Sequence, residues 1–397
     1  MIELDDKRCT ACGACVQKCP KGCIELKSNC NGFLYPVINV ENCVDCGLCS
    51  DVCPIEVGCS NKRYMRPIAY ACVSARDSVL LQSTSGGIFG ELATYVLGLG
   101  GVVYGCAYTE HLKVRHVRVE SVNSLKALLG SKYVQSDTCD TYKECESDLK
   151  KGKEVLYSGT PCQIAGLKRF LQKSYPNLIT VDLVCHGVAS QDYFDKFITY
   201  LEFAEDATCI NYDFRSKENA GWSVAGVASF EKKDKKEYRK KQYYFSNYYY
   251  CYYLAGAIYR DSCYSCKYTN LNRQGDFTLG DFWGCEKIHL PFSVEKGCSL
   301  VLLNSEVAKK VFSEIEVQKH EVLLEDAIKY NKQLLCPSCS RYDREELLKE
   351  FREDSADLIH RKFKKRCRRV IFVGKIKYLI PKSLKKILLK IRYQFLK

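Results

Sequence analysis

Apolar and polar positions follow three regimes along the chain. Residues 1–62 show no sustained apolar period, because short apolar stretches are interrupted by cysteine, glycine and charge. Past the linker "SNKRYMRP" the pattern alternates between strand-like and helix-like runs. "PIAYACVS" reads as a strand, and "STSGGIFGELATYVL" as a helix entered from a Ser/Gly turn, with Ile88, Leu92, Tyr95 and Val96 in period. "GVVYGCAY" and "VRHVRVE" read as paired strands. "KEVLYSG" is a strand, "QIAGLKRFLQK" a helix with Ile164, Leu167, Phe170 and Leu171 on one side, and "NLITVDLVCHG" a second strand ending at Cys185. A strand–helix–strand unit with so short a helix implies a right-handed parallel crossover, so both strands end on the same sheet edge. In the third regime, residues 346–369 read as one charged helix. "PKSLKKILLKIRYQFLK" then reads as a basic amphipathic helix with Leu384, Ile387, Leu388, Ile391 and Phe395 on one face.

These elements predict a mixed α/β chain of the α+β class with a partly parallel sheet. The expected divisions are residues 1–62, 63–150, 151–345 and a helical basic tail, 346–397.

Composition changes the picture in two ways. The chain holds 26 cysteines in 397 residues, far too many for ordinary packing. It is neither small nor headed by a secretory signal, since "MIELDDKRCT" is acidic and lacks an apolar core, so a disulfide scaffold is not expected. With no uncharged run long enough to span a bilayer, the expectation is a cytoplasmic protein whose thiols hold metal or clusters. Cys72, Cys209 and Cys251 read as plain small hydrophobes. The net charge of +13 is also local: residues 361–397 carry fifteen Lys and Arg and no acid, leaving residues 1–360 at −2. Such a tail suits peripheral contact with an anionic membrane surface, here the inner one, or packing on the protein's own body. Nothing in the chain offers base stacking or groove reading, so no nucleic-acid partner is expected.

"CTACGACVQKCP" places cysteines at 9, 12, 15 and 19, and "CVDCGLCSDVCP" repeats the pattern at 43, 46, 49 and 53. This duplicated C-x2-C-x2-C-x3-C-P is the two-cluster bacterial ferredoxin run, in which the fourth cysteine of each repeat serves the other cluster. The expected sets are Cys9, Cys12, Cys15 and Cys53, and Cys43, Cys46, Cys49 and Cys19, each around a 4Fe-4S cube. Zinc normally takes two separated C-x2-C pairs instead. Cys23, Cys30 and Cys59 fall outside the pattern.

Downstream, Cys162 lies just past one parallel strand and Cys185 at the tip of the next, at the edge where open α/β sheets hold ligands. "DSCYSCKY" supplies Cys263 and Cys266, which would complete a third four-thiolate site. Zinc is a rival occupant, and a nucleophilic Cys162 beside His186 is another reading.

"STSGGIFGELATYVL", "LLGSKYVQSD", "YSGTPCQIAGLKRFL", "VDLVCHG", "CYSCKY" and "GDFTLGDFWG" occur here in the order seen in the coenzyme F420 hydrogenase/dehydrogenase beta-subunit family, which residues 63–340 resemble. The resemblance implies an iron–sulfur flavoprotein that binds FAD beside a 4Fe-4S cluster held by Cys162, Cys185, Cys263 and Cys266. It also implies electron exchange with a low-potential donor such as ferredoxin, and with a small-molecule substrate or hydride-accepting coenzyme. Flavin contacts carry over onto Ser85, Gly86 and Gly87, onto Ser131, Lys132 and Tyr133, and onto Ser158, Gly159 and Thr160. No catalytic residue is singled out. Asp276 and Asp281 read either as fixing the cluster loop or as shaping the substrate side. Beta subunits of hydrogenases and formate dehydrogenases work beside catalytic subunits, whereas this chain alone contains no hydrogen- or formate-activating site. Fused to its own ferredoxin segment, it resembles the stand-alone bacterial members of the family. The tyrosine-rich "YYFSNYYYCYYLAGAIY" reads as a core helix or as a stack for a flat ligand.

Overall fold

The computed structural model describes residues 7–57, 65–218 and 221–379. In chain order the strands are β1 Ile24–Ser28, β2 Leu34–Ile38, β3 Ile68–Ser74, β4 Val102–Tyr108, β5 Val114–Val119, β6 Val155–Gly159 and β7 Leu178–Leu183. They continue with β8 Thr208–Asp213, β9 Ala225–Glu231, β10 Glu237–Tyr243, β11 Phe277–Asp281, β12 Ser299–Leu303 and β13 Val317–Val322. The main sheet runs β13-β3-β12-β11-β7-β6-β4-β5. Its centre, β11, β7, β6 and β4, is parallel, and its flanks are antiparallel. This is the partly parallel sheet expected of the α+β class.

Strand alternation divides the apolar residues between two buried faces. Leu156, Ile179, Phe277 and Val301 turn to one side, where the helices Ile88–Gly98 and Glu306–Glu314 cover them. Val155, Tyr157 and Leu178 turn to the other, under the helices Thr141–Lys150 and Pro161–Leu171. Burial on both faces explains why these strands read as nearly continuous apolar runs. The small antiparallel sheet β10-β9-β8 closes a second core. Tyr248, Tyr249, Tyr250 and Tyr252 are fully buried there, so the tyrosine-rich segment is a core helix, Tyr248–Leu254.

Two predicted boundaries move. The strand expected to reach Cys185 ends at Leu183, leaving Cys185 in the loop beyond. The single helix expected over 346–369 is divided: Arg344–Glu353 stops at an extended Asp354, and Ser355 caps a new helix, Ala356–Arg366. A serine hydroxyl accepting from Leu358 N makes that restart favourable. Ile359 and Phe363 of the second helix are buried in the aromatic core, so this part of the tail packs on the body. The basic amphipathic helix expected after Pro381 lies outside the described residues, as does Cys59. Among the described residues no helix is long and apolar enough to cross a membrane.

Candidate functional site

The N-terminal segment folds around two cavities. One is lined by Cys9, Cys12, Cys15 and Cys53; the other by Cys19, Cys43, Cys46 and Cys49. In each repeat the first three cysteines curl around the start of a short helix, Ala14–Lys18 or Leu48–Asp51, and the fourth crosses over. Gly13 and Gly47 precede these helices at φ +82° and +77°, which a residue with a Cβ adopts at a cost. The first cavity is buried against the body, with Cys9, Cys12 and Cys53 all below a tenth exposed, whereas Cys46 of the second is exposed.

Cys23, which the repeat does not mark, also lines the second cavity, with its Sγ 3.4 Å from that of Cys19. No position in the other repeat corresponds to it, so pattern reading passes over it.

The four downstream cysteines lie within electrostatic reach of one another. Cys162 stands in the first turn of the helix Pro161–Leu171, Cys185 just past β7, and Cys263 and Cys266 in the turn before β11. Desolvation is the main force on each thiol, pushing Cys162 up to about 11 and Cys263 up to about 12. Cys185 and Cys266 shift in the same direction, and Cys185 is raised further by Cys263, Cys162 and Cys266. Left empty, such a site holds neutral thiols; a bound metal centre ionises them. Among the described residues, no three His, Cys, Asp or Glu side chains close on a point as a lone ion requires.

A buried ion pair fixes the loop. Asp182 of β7 is fully buried and accepts from Arg273 Nη2 at 3.1 Å, the amides of Gln274 and Gly275 at 2.8 Å, and Thr278 Oγ1 at 2.6 Å. Arg273 in turn donates to Tyr268 O at 2.9 Å, which ties the Cys266 turn to the strand behind Cys185. Asp276 belongs to this scaffold, accepting from Thr180 N and Oγ1 and from Ser305 Oγ. Asp281 faces elsewhere, pairing with Arg215 and Trp222.

The three thiol groups share one apolar cluster: Cys15 and Cys53, Cys49, and Cys162 and Cys266 pack with Ile55, Ala165 and Tyr268. Arg260 sits between the first and third groups. It is 1% exposed, its Nε donates to Cys9 O at 2.7 Å, its Nη1 to Gln135 Oε1, and its Nη2 has no partner among the described residues. Its guanidinium lies 4.0 Å from the centre of the Tyr35 ring, and its charge draws the Cys162 and Cys263 thiols downward against desolvation. Among the described residues no carboxylate pairs with it. A buried cation without a counterion is costly, so anionic centres flanking it fit this donor set.

The three segments expected at a flavin border the same edge. Thr160 Oγ1 is 3.1 Å from Cys162 Sγ. Ser158 is anchored through its carbonyl by His116 Nε2 at 2.9 Å, and the ring's Nδ1 accepts from Ser136 Oγ at 2.8 Å. Gly159, the last residue of β6, pairs with Asp182 across the sheet. Tyr133 stacks on Tyr253 at 4.6 Å, and the Tyr253 hydroxyl donates to Gly187 O beside Cys185. Thr84 Oγ1 and Ser131 Oγ are 3.2 Å apart, which joins the 84–87 and 131–133 segments. Ser85 Oγ donates to Cys298 O and Gly86 N to Ser299 Oγ. A Cβ on Gly86 would lie 2.2 Å from Cys72 O, so that glycine is required by close packing on β3. Gly87, at φ +89°, caps the helix. Lys132 donates to the carbonyls of Ala127 and Leu129 and lies over Tyr108.

Paired cysteine-lined cavities beside an α/β domain are the arrangement of an iron–sulfur electron-transfer segment joined to a larger body. Residues 152–329 match the family model described as the C terminus of the beta subunit of coenzyme F420 hydrogenase/dehydrogenase, and residues 8–57 match the 4Fe-4S dicluster domain. The chain is 32% identical over 53 residues to pyruvate synthase subunit PorD of Methanothermobacter marburgensis, a match covering 13% of this chain and 56% of that protein. It thus spans about half the length of that relative. A chain of the F420-reducing NiFe hydrogenase complex from Methanosarcina barkeri superposes with a TM-score of 0.39 at 13% identity, over 77% of this chain and 94% of that one.

Proposed function

We propose that the protein is an iron–sulfur flavoprotein oxidoreductase. Electrons from a low-potential donor such as ferredoxin pass through 4Fe-4S clusters to FAD, and on to a substrate or hydride-accepting coenzyme. The third cluster is assigned to Cys162, Cys185, Cys263 and Cys266. The observation that carries this assignment is Arg260: a buried guanidinium with no carboxylate partner among the described residues, placed between the first and third thiol groups, is balanced when both hold anionic centres.

The chain's own residues divide the work. Cys46 and its neighbours present the second cavity at the surface, where a donor protein docks. The apolar cluster around Ile55 and Ala165 excludes water between the thiol groups. Ser158, Gly159 and Thr160, ending a parallel strand, and Ser131, Lys132 and Tyr133 offer small residues and donors to FAD beside the third thiol group. FAD, when bound, supplies the two-electron hydride chemistry that single-electron centres lack.

Metal and flavin analysis of anaerobically prepared protein tests this reading. About twelve irons per chain with one FAD supports three cubes and a flavin. About eight irons with one zinc removes the third cluster. Clusters intact without flavin leave an electron-transfer adaptor for a catalytic partner.

A further inference from the structure

The short segment after β8 carries two cations to the same sheet edge, where the proposed function gives neither a role. Arg215 is buried, its side chain 2% exposed. Its Nε donates to Ser223 O, and its Nη1 to Asp281 Oδ2 at 2.8 Å and Tyr133 Oη at 3.3 Å, while Nη2 has no partner among the described residues. Lys217 reaches the same region, with Nζ donating to the carbonyls of Leu80 and Ser85. An ammonium has three hydrogens, so one remains without an acceptor among the described residues. The Asp281 carboxylate is already engaged, accepting from Arg215 and from Trp222 Nε1 at 2.9 Å. Two cations against one anion leave the edge one positive charge in excess.

The wall beside these donors is flat and apolar. Trp222 and Trp283 stack in parallel at 4.9 Å, and the Arg215 guanidinium lies 5.2 Å from the centre of the Trp283 ring. Both rings are half-buried. A buried N–H without an acceptor costs free energy, which an oxyanion accepting from it would offset.

We propose that Arg215 Nη2 and Lys217 Nζ form a seat for an anionic group, a carboxylate or a phosphate, of a ligand lying against the Trp222–Trp283 wall. Building on the flavin reading, the seat holds either the acidic group of the molecule that exchanges electrons with the flavin or a phosphate of FAD. Tyr133, which touches both Arg215 and Tyr253, then connects the seat to the third thiol group. The substrate class is an anion, and the seat orients it.

Trp222 and Trp283 are the only two tryptophans in the chain, so tryptophan emission reports this place alone. The full cluster-loaded chain is titrated with benzoate and with inorganic phosphate while emission is followed, and bound FAD is measured in parallel. The expected result is a saturable change whose midpoint weakens at least about tenfold in Arg215→Gln and less in Arg215→Lys. Lys217→Gln, which leaves the buried guanidinium in place, weakens it as well. If Arg215→Gln loses FAD with its iron intact, the seat belongs to the flavin phosphate; if FAD stays and the anion response goes, it belongs to the substrate. No saturable response in the parent chain, or an unchanged midpoint in both Gln variants, overturns the proposal. A chain that binds anions here without ever holding FAD keeps the seat and loses only the flavin reading.

Discussion

Arg260 Nε donates to the carbonyl of Cys9 at 2.7 Å although the two residues are 251 positions apart. The contact pins the first cysteine of the N-terminal run to the segment that leads into Cys263. One cation therefore borders two thiol groups from opposite ends of the chain. Replacing it by glutamine removes that charge and leaves the packing nearly filled. On the proposed assignment, in which both neighbouring thiol groups hold clusters, reduction would add an electron to centres already negative, so both would become harder to reduce. A unit charge a few ångströms away, at an effective dielectric constant of about 20, is worth on the order of 100 mV. Potentiometric titration of Arg260→Gln followed by electron paramagnetic resonance checks this. Arg260→Lys is expected to shift less, and the exposed second centre least. Equal shifts at all three, or none, would argue against the electrostatic role.

Gly166 brings the helix Pro161–Leu171 against the first cavity. A Cβ there would lie 2.9 Å from both Cβ and Sγ of Cys12 and 3.1 Å from Tyr142 Oη. Neither neighbour can yield easily, because Tyr142 Oη is hydrogen-bonded to Cys12 O at 2.7 Å and to Gln163 O at 2.8 Å. Gly166→Ala is expected to cost about 1–3 kcal/mol as an overpacked contact. It should also separate the N-terminal segment from the body, with iron content falling toward the share of the other sites. Thermal melts and iron assay measure the two effects.

His116 supplies a pH dependence whose sign is fixed by its surroundings. Desolvation lowers it to about 4, against the hydrogen bond to Ser158 O that pulls the other way. A carbonyl only accepts, so Nε2 carries the proton and the folded ring is neutral. Below the ordinary histidine value the unfolded chain takes up a proton that the folded chain does not, so stability falls with pH from about 6.5 toward 4. Between pH 7 and pH 5 this one residue should remove roughly 2 kcal/mol. Denaturant melts of the parent and of His116→Asn across that window should differ in slope by about this amount, the variant being the flatter.

The ferredoxin run was readable because its chemistry lies in local spacing: eight cysteines and two left-handed glycines need no tertiary information. The parallel strands β6 and β7 were readable from apolar runs separated by a helical period, and their parallel pairing brings Cys162 and Cys185 to one edge. Arg260, Arg215 and the two tryptophans were not readable. Their roles arise from contacts across 251, 66 and 59 residues, which no period or spacing encodes. Asp276 and Asp281 sit five residues apart in one motif, yet one clasps strands and the other faces the edge. The single tail helix failed for a local reason, since Ser355 starts a new helix within an unbroken charged run.

Asp182 offers a test that separates the third site from the other two. It holds three donors from the loop that carries Cys266 and a fourth, Thr278 Oγ1, from β11, and it is buried opposite Arg273. Asp182→Ala leaves the Arg273 charge buried and unpaired and frees two loop amides, a loss of roughly 3–5 kcal/mol. Cys185 follows β7 directly, whereas Cys266 depends on the loop, so the variant pulls one ligand of the third site away from the others. The expected outcome is a loss of about four irons with the N-terminal signals kept, because those cysteines are held by the hairpin and by the helices Thr141–Lys150 and Pro161–Leu171. Asp182→Asn keeps an acceptor for Thr278 and should retain part of the iron. Removing the second charge as well, in Asp182→Ala with Arg273→Met, should restore stability without restoring the iron, because the unpaired charge is gone while the loop remains unanchored. Iron recovered along with stability would mean that the charge, and not the loop's hydrogen bonds, sets the position of Cys266.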